Sequence, residues 1–143
     1  LRPLLRPFDR CAVVLGTGGA ARAVAYALSS LGISVQFVGR TKRMGTITYE
    51  ELIERKLLAT TSLVINCTPL GMFPHTAKKP PLPYQEISSF HLLYDLIYNP
   101  AETLFLSSGK EQGAMTKNGL EMLHLQAEKA WDIWQEPFDT SSF

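Results

Sequence analysis

The chain reads as an α/β domain, an open, doubly wound, mostly parallel sheet with helices on both faces. Three observations predict it. Short apolar, β-branched runs alternate with helix-forming stretches along most of the 143 residues. The first run ends in a glycine-rich turn that opens directly into a helix. The strand-to-strand separations suit single right-handed crossovers.

Composition narrows the class further. Hydrophobic residues are 45% and charged residues 19%, near the globular average, so disorder is excluded as the main state. Lys+Arg 14 against Asp+Glu 13 is too balanced for a general phosphate-backbone binder, so no nucleic-acid partner is expected. The apolar runs are only a few residues long, and no membrane span is expected. Cys11 and Cys67 form no CxxC pair, and both border strand-like runs, which predicts buried reduced thiols. The first seven residues hold no long apolar leader, and the expected compartment is cytoplasmic. The start on Leu1 suggests a piece of a longer polypeptide.

The elements follow in order. Ala12–Leu15 is a buried strand ended by Gly16. Ala20–Leu31 has apolar residues at Ala23, Val24, Ala27, Leu28 and Leu31, a helical spacing that Gly32 stops. Ile33–Val38 is the second strand. Thr48–Leu58 is a short helix, opened by a capping box over Thr48 to Glu51. Leu63–Asn66 is the third strand. Residues 74–83 hold four prolines without periodicity, a surface loop. Leu92–Ile97 is the fourth strand, Thr103–Gln112 a helix ended by Gly113, and Ala114–Thr116 a possible short strand. Gly119–Trp134 is a long helix, with Trp131 and Trp134 on one face. In such a sheet the loops after Leu15, Val38, Asn66 and Ile97 share the ligand-binding edge.

Five stretches at that edge carry chemistry. Gly16-Thr17-Gly18-Gly19-Ala20-Ala21 joins strand to helix. Gly16 permits the tight turn, Gly18 lets a pyrophosphate approach the backbone, and Ala21 is small enough to pack helix on strand. The helix start then offers free N–H groups to the phosphates. After the second strand comes Gly39-Arg40-Thr41-Lys42-Arg43. An NAD site normally places Asp or Glu there for the ribose 2′-hydroxyl. Three cations and a hydroxyl stand there instead, suited to a 2′-phosphate, so NADP(H) is expected over NAD(H). Asn66 to Met72 suits close approach of a ribose or nicotinamide. Tyr98, in the stretch Asp95 to Pro100, is placed to hydrogen-bond a substrate. Asn118 or Gly119 would cap the last helix. No metal site is expected, since His75, His91 and His124 do not cluster at ligand spacing, and Lys110 and Lys117 read as solvated charges.

Taken together, these motifs resemble the C-terminal, NADP-binding domain of the shikimate dehydrogenase family, a Rossmann-like fold. They are GxGGAxRA (Gly16 to Ala23), the Arg40-Thr41 pair, NxTPxGM (Asn66 to Met72), DxxYNPxxT (Asp95 to Thr103) and NGxxMLxxQ (Asn118 to Gln126). The resemblance covers roughly residues 1–135. It implies that Gly16, Gly18, Gly19 and Ala20 carry the pyrophosphate. It puts Arg40 and Thr41 at the 2′-phosphate, with Lys42 or Arg43 helping. Asn66, Thr68, Leu70 and Met72 would line the adenosine–nicotinamide path, and Gly119 and Met122 would hold the nicotinamide. Tyr98 and Gln126 would touch shikimate. The implied division is 1–10 for the end of an interdomain connecting helix, 11–135 for the cofactor domain and 136–143 for a tail. The catalytic Lys–Asp pair would lie in an N-terminal substrate domain that this chain does not contain, so no catalytic residue is expected here. One departure is Gly39, where the family usually has Asn.

The implied reaction is NADPH-dependent reduction of 3-dehydroshikimate to shikimate, in aromatic amino-acid biosynthesis. Two other readings compete. A stand-alone NADP-binding regulatory module would not need Tyr98 or Gln126. A quinate/shikimate dehydrogenase that prefers NAD would carry an acidic residue after the second strand.

Overall fold

The computed structural model describes residues 4–121. Strand β1 (Cys11–Leu15) feeds helix α1 (Gly19–Ser30), which returns to β2 (Ser34–Gly39). A short β3 (Thr46–Thr48) leads into α2 (Tyr49–Glu54). Then come β4 (Leu63–Asn66), β5 (Leu92–Asp95), α3 (Leu104–Glu111) and β6 (Met115–Lys117). The six strands pair in the order β3-β2-β1-β4-β5-β6, and every pairing is parallel. The chain therefore winds outward from β1 in one direction, then crosses back over β1 to begin the other half at β4. The expected Rossmann-like α/β fold is present.

Side-chain alternation sorts the apolar residues onto two faces. Ala12, Val14, Leu63, Ile65 and Leu92 pack with Ala21 and Leu28 of α1. Val13, Leu15, Val38, Val64 and Leu93 pack with Tyr49 and Leu52 of α2 and Phe105 and Leu106 of α3. Each helix can bury only one stripe, so each sheet face recruits its own.

Register brings the strand ends level. Leu15 pairs with both Val38 and Asn66, and Asn66 pairs with Asp95. Gly16 N–H donates to the Val38 carbonyl at 2.8 Å, and Cys67 N–H to the Leu15 carbonyl at 2.9 Å. The loops after these strands thus leave from one edge, as expected.

Several expectations need correcting. The stretch before α2 contains β3, closed by a turn in which Gly45 has φ +78°. The helix placed over Thr48–Leu58 is two pieces, α2 and a 3₁₀ turn at Leu57–Ala59, separated by Lys56 in the left-handed region at φ 50°. Its capping box is half formed. Thr48 Oγ1 accepts from Glu51 N–H at 3.2 Å, but the Glu51 carboxylate turns to Lys42 and Arg55. The fourth strand stops at Asp95. The proline-rich loop is not wholly on the surface, since Leu82 reaches the α2–α3 core, followed there by Ile87. Cys11 is exposed, because it opens β1 at the sheet's amino edge, whereas Cys67 is partly buried; both are free thiols. A helical turn begins at 120, and the rest of the helix expected over Gly119–Trp134, with Met122, Gln126, Trp131 and Trp134, falls outside the described residues.

Candidate dinucleotide site

A cavity of about 360 Å³ opens at the carboxyl edge between the two halves of the sheet. Gly16, Thr17 and Gly18 form one wall, Gly39, Arg40 and Tyr49 a second, and Cys67 to Leu70 a third. Strand order explains the convergence, since β1 is flanked by β2 and β4, whose ends supply the other walls.

Gly16 is needed by the backbone. Its φ is +110°, and a Cβ there would stand 3.2 Å from the Cys67 carbonyl oxygen. Gly18 and Gly19 are different. No protein atom lies within 4 Å of where a Cβ would stand at either position. The protein's own packing therefore gives no reason for these glycines. Open space over a helix start whose cap has no side-chain partner and whose first turn has no acid suits an anion against the backbone. Ala20 is exposed beside them.

The tip of β2 carries the charge. Arg40 lines the cavity, and no carboxylate does. Thr41 is exposed next to it. Lys42 turns away to Glu51 at 3.3 Å. Arg43 lines a neighbouring cavity of about 150 Å³ with Thr17, Arg22, Phe37, Met44 and Thr46. Tyr49 sits under the main cavity, where burial pushes its phenol up to about 12 while the Arg40 charge pulls it down. Burial, reinforced by the Asp95 charge, pushes the Cys67 thiol up to about 12 as well.

On the β4 side the polar groups face one another. Asn66 is fully buried; its amide donates to Asp95 Oδ1 at 3.2 Å, and its carbonyl accepts from Thr68 N–H and Oγ1 at 3.0 and 2.6 Å. Asp95 also accepts from Ile97 N–H at 3.0 Å and Thr103 Oγ1 at 2.6 Å. Burial raises the Asp95 pKa, and the bonds from Thr103, Ile97 and Asn66 oppose the rise. Thr103 in turn caps α3, accepting from Leu106 N–H. Asn66 thus shapes the loop that presents Thr68 and Leu70.

Farther along the edge, Met72 and Tyr98, each about half exposed, line a cavity of about 200 Å³ with Phe73, Ile97 and Asn99. Gly119 is buried; its N–H donates to the Ile97 carbonyl at 3.1 Å, and a Cβ there would collide with the Leu96 carbonyl oxygen. Asn118 accepts from Leu120 N–H at 3.0 Å, as a cap would.

The motifs assigned no role to Thr17, Tyr49, Cys67, Pro69 and Arg22, although Pro69 and Arg22 stand in NxTPxGM and GxGGAxRA. Tyr49 and Cys67 look like core residues in sequence. Arg22 did carry a signal, a cation in the first turn of a helix that has no acid there. Among the described residues, no group of three or more His, Cys, Asp or Glu could hold a metal, and no helix is long and apolar enough to cross a membrane.

Comparison with known proteins agrees with this geometry. No protein-family model matches the chain. It is 41% identical over 135 residues to the shikimate dehydrogenase (NADP(+)) of Carboxydothermus hydrogenoformans, covering 85% of this chain and 48% of that protein. It is 42% identical over 138 residues to that of Clostridium beijerinckii, covering 90% and 49%. It superposes with a TM-score of 0.73, at 31% identity, on shikimate 5-dehydrogenase from Thermus thermophilus in complex with NADP(H) and shikimate, covering 95% of this chain and 53% of that one. The chain spans about half the length of the curated relatives it matches. In sequence and in fold, the chain is homologous to the shikimate dehydrogenases over about half of their length, consistent with their C-terminal, NAD(P)-binding domain.

Proposed function

We propose that this chain is the NADP-binding half of a shikimate dehydrogenase, an enzyme that reduces 3-dehydroshikimate to shikimate in the cytoplasm. One observation carries the reading: Arg40 and the open Gly18 backbone line one cavity with no carboxylate among its walls. A carboxylate at the end of β2 would repel a 2′-phosphate, and a guanidinium attracts it.

In this reading Gly16, Gly18, Gly19 and Ala20 hold the pyrophosphate against the start of α1. Arg40 and Thr41 take the 2′-phosphate side, with Arg43 or Lys42 adding charge. Thr68, Leu70 and Met72, on the loop shaped by Asn66, line the path toward the nicotinamide, which Gly119 and Met122 border. Tyr98 and Gln126 face the substrate. Residues 11–135 form the cofactor domain, 1–10 join it to a substrate domain, and 136–143 are a tail. When bound, NADPH supplies the hydride that reduces the carbonyl carbon. This half orients the dinucleotide and neutralises its charge, and the resemblance assigns proton transfer to a Lys–Asp pair in the other half. Two free thiols suit a reducing compartment.

Calorimetric titration of the chain with NADPH and NADH tests the reading. A charged hydrogen bond is worth about 1.5–3 kcal/mol, so NADPH is expected to bind about tenfold or more tightly, and Arg40→Ala to erase most of that difference. Equal affinity of the unaltered chain for the two would overturn the cofactor assignment. The 143-residue chain assayed alone is expected to show almost no turnover; ordinary turnover would overturn the assignment of proton transfer to the other half.

A further inference from the structure

The cavity beside Arg43 shares Thr17 with the main one, so the two adjoin. Its walls combine two guanidinium-bearing residues from different elements: Arg22 on α1 and Arg43 at the turn between β2 and β3. Phe37, Met44 and Thr46 complete it, and no carboxylate lines it.

Both cations are exposed and face the cavity without a counter-charge among the described residues. Neither Arg22 nor Arg43 joins an ion pair among the described residues, whereas Lys42, between Arg40 and Arg43 in sequence, is drawn to Glu51. Arg22 is also the fourth residue of α1, near the end where the helix dipole disfavours a cation, and no acid in the first turn compensates. Two like charges facing one small cavity repel each other. An anion entering there relieves both unfavourable terms at once.

We propose that Arg22 is a specificity-determining residue: with Arg43, in the cavity adjoining that of Arg40, it completes the clamp on the 2′-phosphate of the dinucleotide. The inference rests on the reading that the chain takes NADP(H), and it adds a contact from α1 to those at the tip of β2. A monophosphate ester offers three terminal oxygens, enough for guanidiniums approaching from more than one side. The partly buried Phe37 supplies the apolar part of the cavity wall.

The test is a calorimetric titration of the chain and its Arg22→Ala and Arg22→Lys variants with NADPH, NADH, 2′,5′-ADP and 5′-ADP. Arg22→Ala is expected to weaken NADPH and 2′,5′-ADP about tenfold, the worth of one charged hydrogen bond, and to leave NADH and 5′-ADP within about twofold. Arg22→Lys, which keeps the charge without the fork, is expected to fall between. Arg22 is exposed, so its loss should not unfold the domain. Equal weakening of all four ligands would mean that Arg22 serves the pyrophosphate or the fold, and would overturn the proposal while leaving the NADP reading intact. Unchanged affinity for all four would overturn it in the same way. An unaltered chain that does not favour the 2′-phosphorylated ligands would sink both.

Discussion

Two corners of the carboxyl edge handle polar groups in opposite ways. Where β4, β5 and α3 meet, Asn66, Asp95 and Thr103 satisfy one another, and each is buried. Where β1, α1 and β2 meet, the groups are left open. Gly18 and Gly19 have empty space above them, the α1 cap has no side-chain partner, and Arg22, Arg40 and Arg43 join no ion pair among the described residues. Polar groups closed on each other stabilise the fold, because a buried group without a partner costs about 1–3 kcal/mol. Polar groups left facing an open cavity contribute little to folding and are free for a ligand. Substitutions in the first corner should therefore read out in stability, and in the second in binding.

The largest effect is expected at Gly119, where the last segment crosses the end of β5. Gly119→Ala drives a Cβ into the Leu96 carbonyl, which is backbone and cannot swing aside. A loss of about 3 kcal/mol, the upper range for overpacking, should appear in urea unfolding. A loss below about 0.5 kcal/mol would show that the segment has room to shift.

Next is Asp95→Ala, which strands the Asn66 amide, the Ile97 N–H and the Thr103 hydroxyl. About 2–3 kcal/mol should be lost in the same measurement. The pH response separates Asp95 from the other buried acid, Asp9. Burial would raise the Asp9 pKa, but the bonds from Arg6 and Ser62 hold it below its ordinary value of 3.8. Its folded form binds the proton more weakly than the unfolded form. The stability it contributes is therefore complete above about pH 4 and lost as pH falls below that. Asp95 has the opposite sign, its raised pKa favouring the fold as pH falls toward and below its folded value. Asp9→Asn should flatten the acid limb of a stability-versus-pH curve and lower neutral stability by about 1–2 kcal/mol; an unchanged limb would remove Asp9 from the account.

The smallest stability effect is expected at Gly18. Gly18→Ala meets no protein atom and sits at a cap with ordinary extended angles, so unfolding should shift by no more than about 1 kcal/mol, the usual difference between a good cap and Ala. Dinucleotide affinity should nevertheless fall about tenfold or more, because the added methyl occupies the approach to the backbone. Unfolding that shifts strongly while affinity holds would reverse the contrast between the corners.

The same contrast explains what the sequence made legible. The open corner is built from local pieces, a strand, a glycine turn, a helix and a basic tip, and these lie within residues 11–43. Period and turn chemistry suffice to read them. The closed corner joins Asn66, Asp95 and Thr103 across a register that only the assembled sheet supplies, so their partnership was not readable in advance. β3 was missed although Thr46-Ile47-Thr48 is β-branched, because three residues are too few for a period to show. The left-handed Lys56 that divides α2 from the following turn has no mark in sequence, since Lys is not a residue that favours that conformation. Leu82 and Ile87 reached the core from a stretch whose prolines advertise surface.

The two thiols lie at different depths along one edge-to-edge axis. Cys11 opens β1 in contact with solvent, and Cys67 lines the cavity with its proton firmly held. At neutral pH an alkylating dye should therefore attach at Cys11 and leave Cys67 untouched. The attachment point is about 13 Å along the strand from Leu15, far enough for a fluorophore to watch the domain unfold without occupying its dinucleotide cleft.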